Sequence, residues 1–301
     1  TTLVKRLSEP LNYMERISKY YTGLGYGEPY RWARQREIPF AKLKKPLKNS
    51  TVGIVTTAAL FNPKNGDQGP GAAYNGKAKF FNVYREPISP FPELRISHIA
   101  IDRTHTTASD IHTYFPLKAL SRLQESGFLG RLAPNFYGLP TNRSQKITIE
   151  KDSVELVRLF KRDKVDAAIF VPNCPICHQS VALAASSLER TGTPTVIMGC
   201  ALDIVEYVGA PRFVFNDFPL GNSAGLPDNV SSQDLITKMS LDLLIEATRP
   251  RTTKKSPFDW SGTIDWKKDY SNINLLTNQE IKDRRKEFDE VKKEVKSIKG
   301  Q

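Results

Sequence analysis

The distribution of apolar and polar positions divides the chain into short alternating elements. Leu11, Met14, Ile17, Tyr20 and Tyr21 recur at helical spacing, so residues 10–21 read as a short amphipathic helix, broken by Gly23, Gly25 and Gly27. Residues 28–50 are basic, Pro-marked and aperiodic, which predicts an extended connection. Val52-Gly53-Ile54-Val55 is the first buried strand, ending at Thr56-Thr57. The polar stretch Asn65–Gly76 follows. Its glycines precede no helix, so it reads as a surface loop or lid and not as a phosphate cradle. Arg95–Ile101 is a second apolar run, and residues 115–126 form a helix that stops at Gly127. Residues 149–164 are expected to be helical, with Val154, Val157 and Phe160 on the apolar face. Val165–Val171 is apolar throughout, as in a strand buried on both faces of a parallel sheet. A helix over 177–191, Gly192 and a strand over 195–198 complete a βαβ unit. Phe213–Phe215 is a further strand. Helices over 231–247 and 278–297 close the pattern, the last one charged and amphipathic.

Strands alternating with helices predict an α/β fold with a mostly parallel sheet flanked by helices and with helical terminal extensions. We divide the chain into a basic arm (1–50), an α/β catalytic unit (51–248) and a basic C-terminal extension carrying an amphipathic helix (249–301). In parallel sheets reactive groups gather beyond the carboxyl ends of strands. By sequence these places are Thr56-Thr57, His98–Asp102, Pro172–His178 and Asn216–Asn222.

The net charge of +12 sits at the ends. Residues 1–50 carry 11 Lys and Arg against 4 Asp and Glu, and 249–301 carry 14 against 9, whereas the middle is balanced. No nucleic-acid module accompanies the charge, so basic arms that dock on an acidic partner or rest in solvent are expected, and nucleic acid is not. No apolar run approaches the roughly 20 residues of a membrane helix. The polar start Thr1–Arg6 predicts no secretory signal, and a cytoplasmic location is expected. Three cysteines are too few for a secreted disulfide framework.

Two of them stand in Cys174-Pro175-Ile176-Cys177-His178, where the buried strand meets a helix. Pro172 and Asn173 make the turn, Cys174 falls near the N-cap, and Pro175 takes the first helical position. Cys174, Cys177 and His178 share one helix face. The helix N-terminus stabilises a thiolate, so Cys174 is expected to be the nucleophile and Cys177 the thiol that resolves an adduct by disulfide formation. Other chemistries use this spacing. Haem c attachment would require export. Zinc would require two more ligands from His98, His178 or Cys200, and no metal is expected. Two cysteines merely buried at a helix start remain a further reading. His98 and Asp102 could act as an acid/base pair or grip an amino substrate, and Arg85 could clamp a carboxylate. Thr56, Thr57, Asn173, Gly221 and Asn222 are the other candidate substrate-binding residues.

Taken in order, several stretches resemble the selenoprotein subunit of D-proline reductase and, more distantly, component B of the glycine, sarcosine and betaine reductases. They are Val52–Ala59, Ser97-His98 with Asp102, Phe115-Pro116-Leu117 through Phe128, Ala133-Pro134, Val165-Asp166-Ala167, Cys174–His178, and Gly221-Asn222 with Ala224-Gly225 and Pro227. The likeness covers residues 30–248. It implies reductive cleavage of a C–N bond alpha to a carboxylate, with a selenocysteine in the family where this chain has Cys174. It further implies a small amino-acid-like substrate, a reductase partner subunit bearing a pyruvoyl group, and an external dithiol reductant, with no cofactor in this chain. A homo-oligomer is expected. The runner-up is a stand-alone cysteine-dependent lyase, desulfhydrase or hydrolase acting on a small nitrogen or sulfur heterocycle. A zinc-stabilised subunit that only scaffolds a complex is the non-catalytic alternative.

Overall fold

A computed structural model describes residues 9–69, 71–260 and 266–300. The start of the basic arm (1–8), position 70 of the polar loop, residues 261–265 of the C-terminal extension and position 301 lie outside the described residues.

Asn12 caps α1 (Tyr13–Gly23) by accepting the Glu15 N–H. β1 (Thr51–Thr56) is buried throughout, and β2 (Ala59–Leu60) follows. β3 (Tyr84–Pro87), β4 (Leu94–Arg95), α2 (Leu117–Glu125), β5 (Arg131–Leu132) and β6 (Asn135–Gly138) come next. A helical run from Gln145 passes through a π-turn at Thr148–Asp152 into α3 (Ser153–Asp163). Then come β7 (Ala167–Val171), α4 (Pro175–Arg190), β8 (Thr195–Gly199), α5 (Leu202–Val208), β9 (Arg212–Phe215), α6 (Val230–Glu246) and β10 (Thr252–Lys255). The short α7 (Trp266–Asp269) and the long α8 (Asn278–Lys299) complete the order.

The sheet runs β10-β9-β8-β7-β1-β6-β3, with β5 also beside β1. Every pairing in it is parallel except β3 with β6. The expected α/β fold with a mostly parallel, helix-flanked sheet is therefore the observed one. β7 is central, and its run Ala-Ala-Ile-Phe-Val is wholly buried because helices cover a parallel sheet on both faces. α4 packs between α3 and α5, while α6 lies across β8 and β9 beside α2.

Two expectations are corrected. The apolar run Arg95–Ile101 is not a strand beyond Arg95. β4 pairs only with β2 as a two-residue ladder, and residues 96–103 turn irregularly into the site. In α3, Val154 is 60% exposed, and Leu156, Leu159 and Phe160 form the buried face. Val157 is only half-buried, so the buried face of α3 is centred on the leucines and not on the valines.

Leu11, Tyr13, Ala33 and Leu47 from the first 50 residues, and Trp266 and Tyr270 from the extension, join the same apolar core as the sheet. β10 carries the sheet past residue 248. Among the described residues, no helix is long and apolar enough to cross a membrane.

Candidate active site

The site forms where the sheet's carboxyl edge meets α4. Asn173 turns the chain out of β7, its backbone N–H and its Nδ2 both donating to Thr57 Oγ1 at 3.1 Å. Thr56 Oγ1 accepts the Ala58 N–H, so both threonines at the end of β1 brace backbone. Cys174 follows in extended conformation as the N-cap of α4, and its Sγ accepts the Cys177 N–H at 3.2 Å. Pro175 at the first helical position offers no N–H where none could be satisfied. The Cys174 and Cys177 Cα atoms are 5.0 Å apart and their sulfurs are paired as a disulfide.

Cys177 is fully buried, and its Sγ lies 3.1 Å from Thr141 Oγ1. The same hydroxyl is 3.1 Å from His98 Nε2. His98 Nδ1 is buried without a hydrogen-bond partner. Burial, with Lys79 and Arg103 facing the ring, pushes the His98 pKa down to about 3, so the imidazole is neutral at physiological pH. A ring nitrogen of His98 and the two cysteine sulfurs all lie within 4.8 Å of one another.

Other candidates serve elsewhere. His178 donates from Nδ1 to the Cys174 carbonyl at 2.7 Å, and its Nε2 accepts the N–H groups of Cys200 and Ala201. The ring sits so close to Gly199 that a Cβ there would fall 2.7 Å from Nε2. Asp102 turns away from His98 and binds His105 Nδ1 at 2.9 Å, whose Nε2 reaches Asp269 at 3.3 Å. Arg85 holds the protein's own Asp163 in a two-pronged pair at 2.7 and 2.9 Å, and Tyr137 shares that carboxylate. Asn222 donates to the Pro219 carbonyl, and Gly221 adopts φ +113° in the same loop. Ser223, next along, donates to the Pro172 carbonyl, so this loop buttresses the turn before Cys174.

His178 sets a pH expectation. Protonating Nε2 would aim a third N–H at two N–H donors, and burial pushes its pKa down from 6.5 to about 4. The unfolded chain therefore binds the proton more tightly between those values, so stability falls as pH drops from about 6.5 to about 4 and the loss is constant below. The shift corresponds to a penalty on the order of 3 kcal/mol. Chemical denaturation of the native chain and of His178→Gln between pH 4 and 7 checks this; the variant should lose the His178 share of the acid-side slope and keep the comparable share of His98.

Cys174, His98 and Thr141 line a cavity of about 610 Å³. Its roof comes from Tyr21 and Tyr26 on the N-terminal side and from Phe288, Val291 and Val295 of α8. Phe288 contacts both tyrosine rings at 5.2 Å. Lys79, Arg143, Lys292, Lys296 and Lys299 also border it, and none of them is ion-paired to a carboxylate among the described residues. Burial and the neighbouring Lys299 and Arg143 lower the Lys79 pKa, the signature of a cation among cations. The sequence pattern missed Thr141, Lys79 and this roof. A signal for the roof does exist: six aromatic residues crowd positions 13–32, too many for a solvated arm.

α8 has no fully buried residue, so its removal should leave the core intact. Truncation after Leu276 forfeits the Phe288 contacts with Tyr21 and Tyr26, the Arg285 and Lys292 cations over Tyr26, and the Tyr26–Asp289 and Arg285–Leu24 hydrogen bonds, each worth about 1 kcal/mol, and should leave a cooperatively unfolding, soluble chain. Thermal unfolding and light scattering check this; aggregation would show that α8 completes the core.

No family model matches the chain, and no solved structure matches it. Among curated proteins it is 28% identical to D-proline reductase subunit gamma of Acetoanaerobium sticklandii over 222 residues, 73% of this chain and 88% of that protein. It is 29% identical to glycine reductase complex component B subunit gamma of Peptoclostridium acidaminophilum over 213 residues, 69% of this chain and 48% of that protein. The resemblance read from the motifs is thus borne out, and the chain is related to components of multi-subunit reductases.

Proposed function

We propose that the chain is the thiol-bearing subunit of a reductase that cleaves a C–N bond in a small amino-acid-like carboxylate, with Cys174 as nucleophile and Cys177 as resolving thiol. The observation that carries this reading is the paired Cys174–Cys177 couple at a helix N-terminus, with Cys174 facing the cavity and Cys177 buried behind it. In the dithiol state the Cys174 thiolate attacks the alpha carbon, a C–S bond forms, and the amine leaves with the C–N electron pair and takes up a proton. The Cys177 thiolate then attacks the Cys174 sulfur. The disulfide forms, and the carbon departs with the C–S electron pair and is protonated. The two electrons gained by the substrate come from the thiols, and an external dithiol restores them.

The unpaired cations at the cavity suit a carboxylate. The Thr141 hydroxyl, held by neutral His98, positions the Cys177 sulfur. As the resemblance implies, a pyruvoyl group on a partner subunit would activate the amine. A second reading, a stand-alone lyase, draws support from the cavity being roofed by the chain's own segments, which suits a free small molecule.

Turnover of D-proline and glycine, the substrates in the relatives' names, is measured with and without dithiothreitol and with extract of a reductase-expressing host as a source of partner. The reductase reading requires one dithiol oxidised per product. Multiple turnover without any thiol leaves the lyase.

A further inference from the structure

We propose that in its dithiol state the chain binds one zinc ion through Cys174, Cys177 and His98, with the fourth coordination position open to the cavity. Three groups of the right kind converge here: both cysteine sulfurs and a ring nitrogen of His98 lie within 4.8 Å of one another. Two thiolates and one imidazole with an open position form a ligand set that zinc accepts. One ring nitrogen, Nε2, lies 3.1 Å from the Thr141 hydroxyl, and the other, Nδ1, is buried with no hydrogen-bond partner, so the ring has a buried nitrogen that nothing in the protein satisfies.

The surroundings brace the ligands. Thr141 Oγ1 is 3.1 Å from both the Cys177 sulfur and His98 Nε2, so one hydroxyl accepts from the ring and donates to the sulfur. Such outer contacts fix ligand orientation. The Cys177 N–H points at the Cys174 sulfur and supports it as a thiolate. The cationic border does not oppose the ion, because two thiolates cancel its charge. On binding, the two thiols release two protons and each sulfur donates a lone pair to the metal. The disulfide leaves neither thiolate available, so oxidation and metal binding exclude each other. The site would hold zinc only when reduced, and bound zinc would shield both sulfurs from oxidants.

The inference concerns binding alone and stands apart from the reductase reading. The full chain, reduced and desalted anaerobically, is titrated with zinc against a chromogenic chelator. One equivalent should bind to the reduced chain and none to the oxidised chain. Thr141→Val should weaken binding by about 10-fold. His98→Ala and the volume-preserving His98→Gln should each weaken it by more than Thr141→Val does. On the unmodified chain, cobalt should give sulfur-to-metal charge-transfer absorption with the intense visible bands of a tetrahedral site. Failure of the reduced chain to retain zinc overturns the proposal. So does an affinity unchanged in both His98 variants, or a cobalt spectrum without tetrahedral bands.

Discussion

Incubated with its substrate, Cys177→Ser should accumulate one covalent adduct per chain on Cys174, while Cys174→Ser should bind the substrate and form none. The expectation follows from the division of labour at the start of α4. Only Cys174 lines the cavity, whereas Cys177 is sealed behind it against Thr141. A substrate carbon can reach the first sulfur, and the second can reach only the first. Turnover should fall on the order of a thousand-fold or more in either variant, because the two thiols act as a unit and losing one stops the cycle. Intact-protein mass spectrometry after incubation, followed by peptide mapping, locates the adduct. Cys200 serves as the internal control: its thiol is buried and pushed up to about 12, so it stays protonated and should carry no label. Repeated turnover by Cys177→Ser would reject the two-thiol cycle.

The largest stability effect is expected at Arg212. This side chain is wholly buried and pairs with the equally buried Glu189 at 2.9 Å. It also donates to the Ala41 carbonyl at 2.6 Å and lies over the Phe40 ring at 4.1 Å. Glu189 in turn accepts the N–H groups of Thr195 and Ala41. One ion pair thus fastens α4, β8, β9 and the basic connection ahead of β1. Arg212→Met would leave Glu189 buried and uncompensated, costing about 3–5 kcal/mol. The double variant Arg212→Met/Glu189→Leu should recover much of that loss, since it removes the stranded charge together with its partner. Urea unfolding of the wild type and both variants decides this. Equal losses in the single and double variants would mean that the packing of the Arg212 stem, and not the charge, matters.

The elements that could be read from sequence are those whose environment is uniform. β1, β7, β8 and β9 carry apolar runs because they are buried on both faces, with Arg212 at the head of β9 the buried exception, and the helices between them carry a clear period. β10 (Thr-Thr-Lys-Lys) and β3 (Tyr-Arg-Glu-Pro) escaped notice. They lie at the two edges of the sheet, where half-exposed positions carry no apolar signal. In α3 the period alone leaves two apolar stripes, because Val154 and Val157 compete with Leu156 and Leu159 for the buried face.

The site divides along similar lines. Cys174 and Cys177 were visible because a strand–turn–helix junction has a strong local grammar. His98 comes to them across 76 positions, and nothing in its own neighbourhood says so. Asp102, four residues on, suggested a pair with His98, but the irregular turn after β4 hands it to His105. Arg85 reads as an unattached cation in sequence and is consumed by Asp163 in space. The basic ends gave the opposite impression, of arms that dock on an acidic partner or rest in solvent. Their aromatic residues in fact bury against each other over the cavity, and their lysines border it.

The placement of α8 has a consequence for biosynthesis. The β7–α4 junction that carries the thiol pair is made by the time the chain reaches β9, while Tyr270 and Ser271 of the cavity wall follow later and α8 emerges from the ribosome after every other described element. Because domains begin to fold during synthesis, N-terminal parts first, the nascent protein passes through a stage in which the thiol pair is assembled at the end of β7 and still uncovered. Any oxidant, ion or partner that needs direct access to the two sulfurs meets them most easily in that interval.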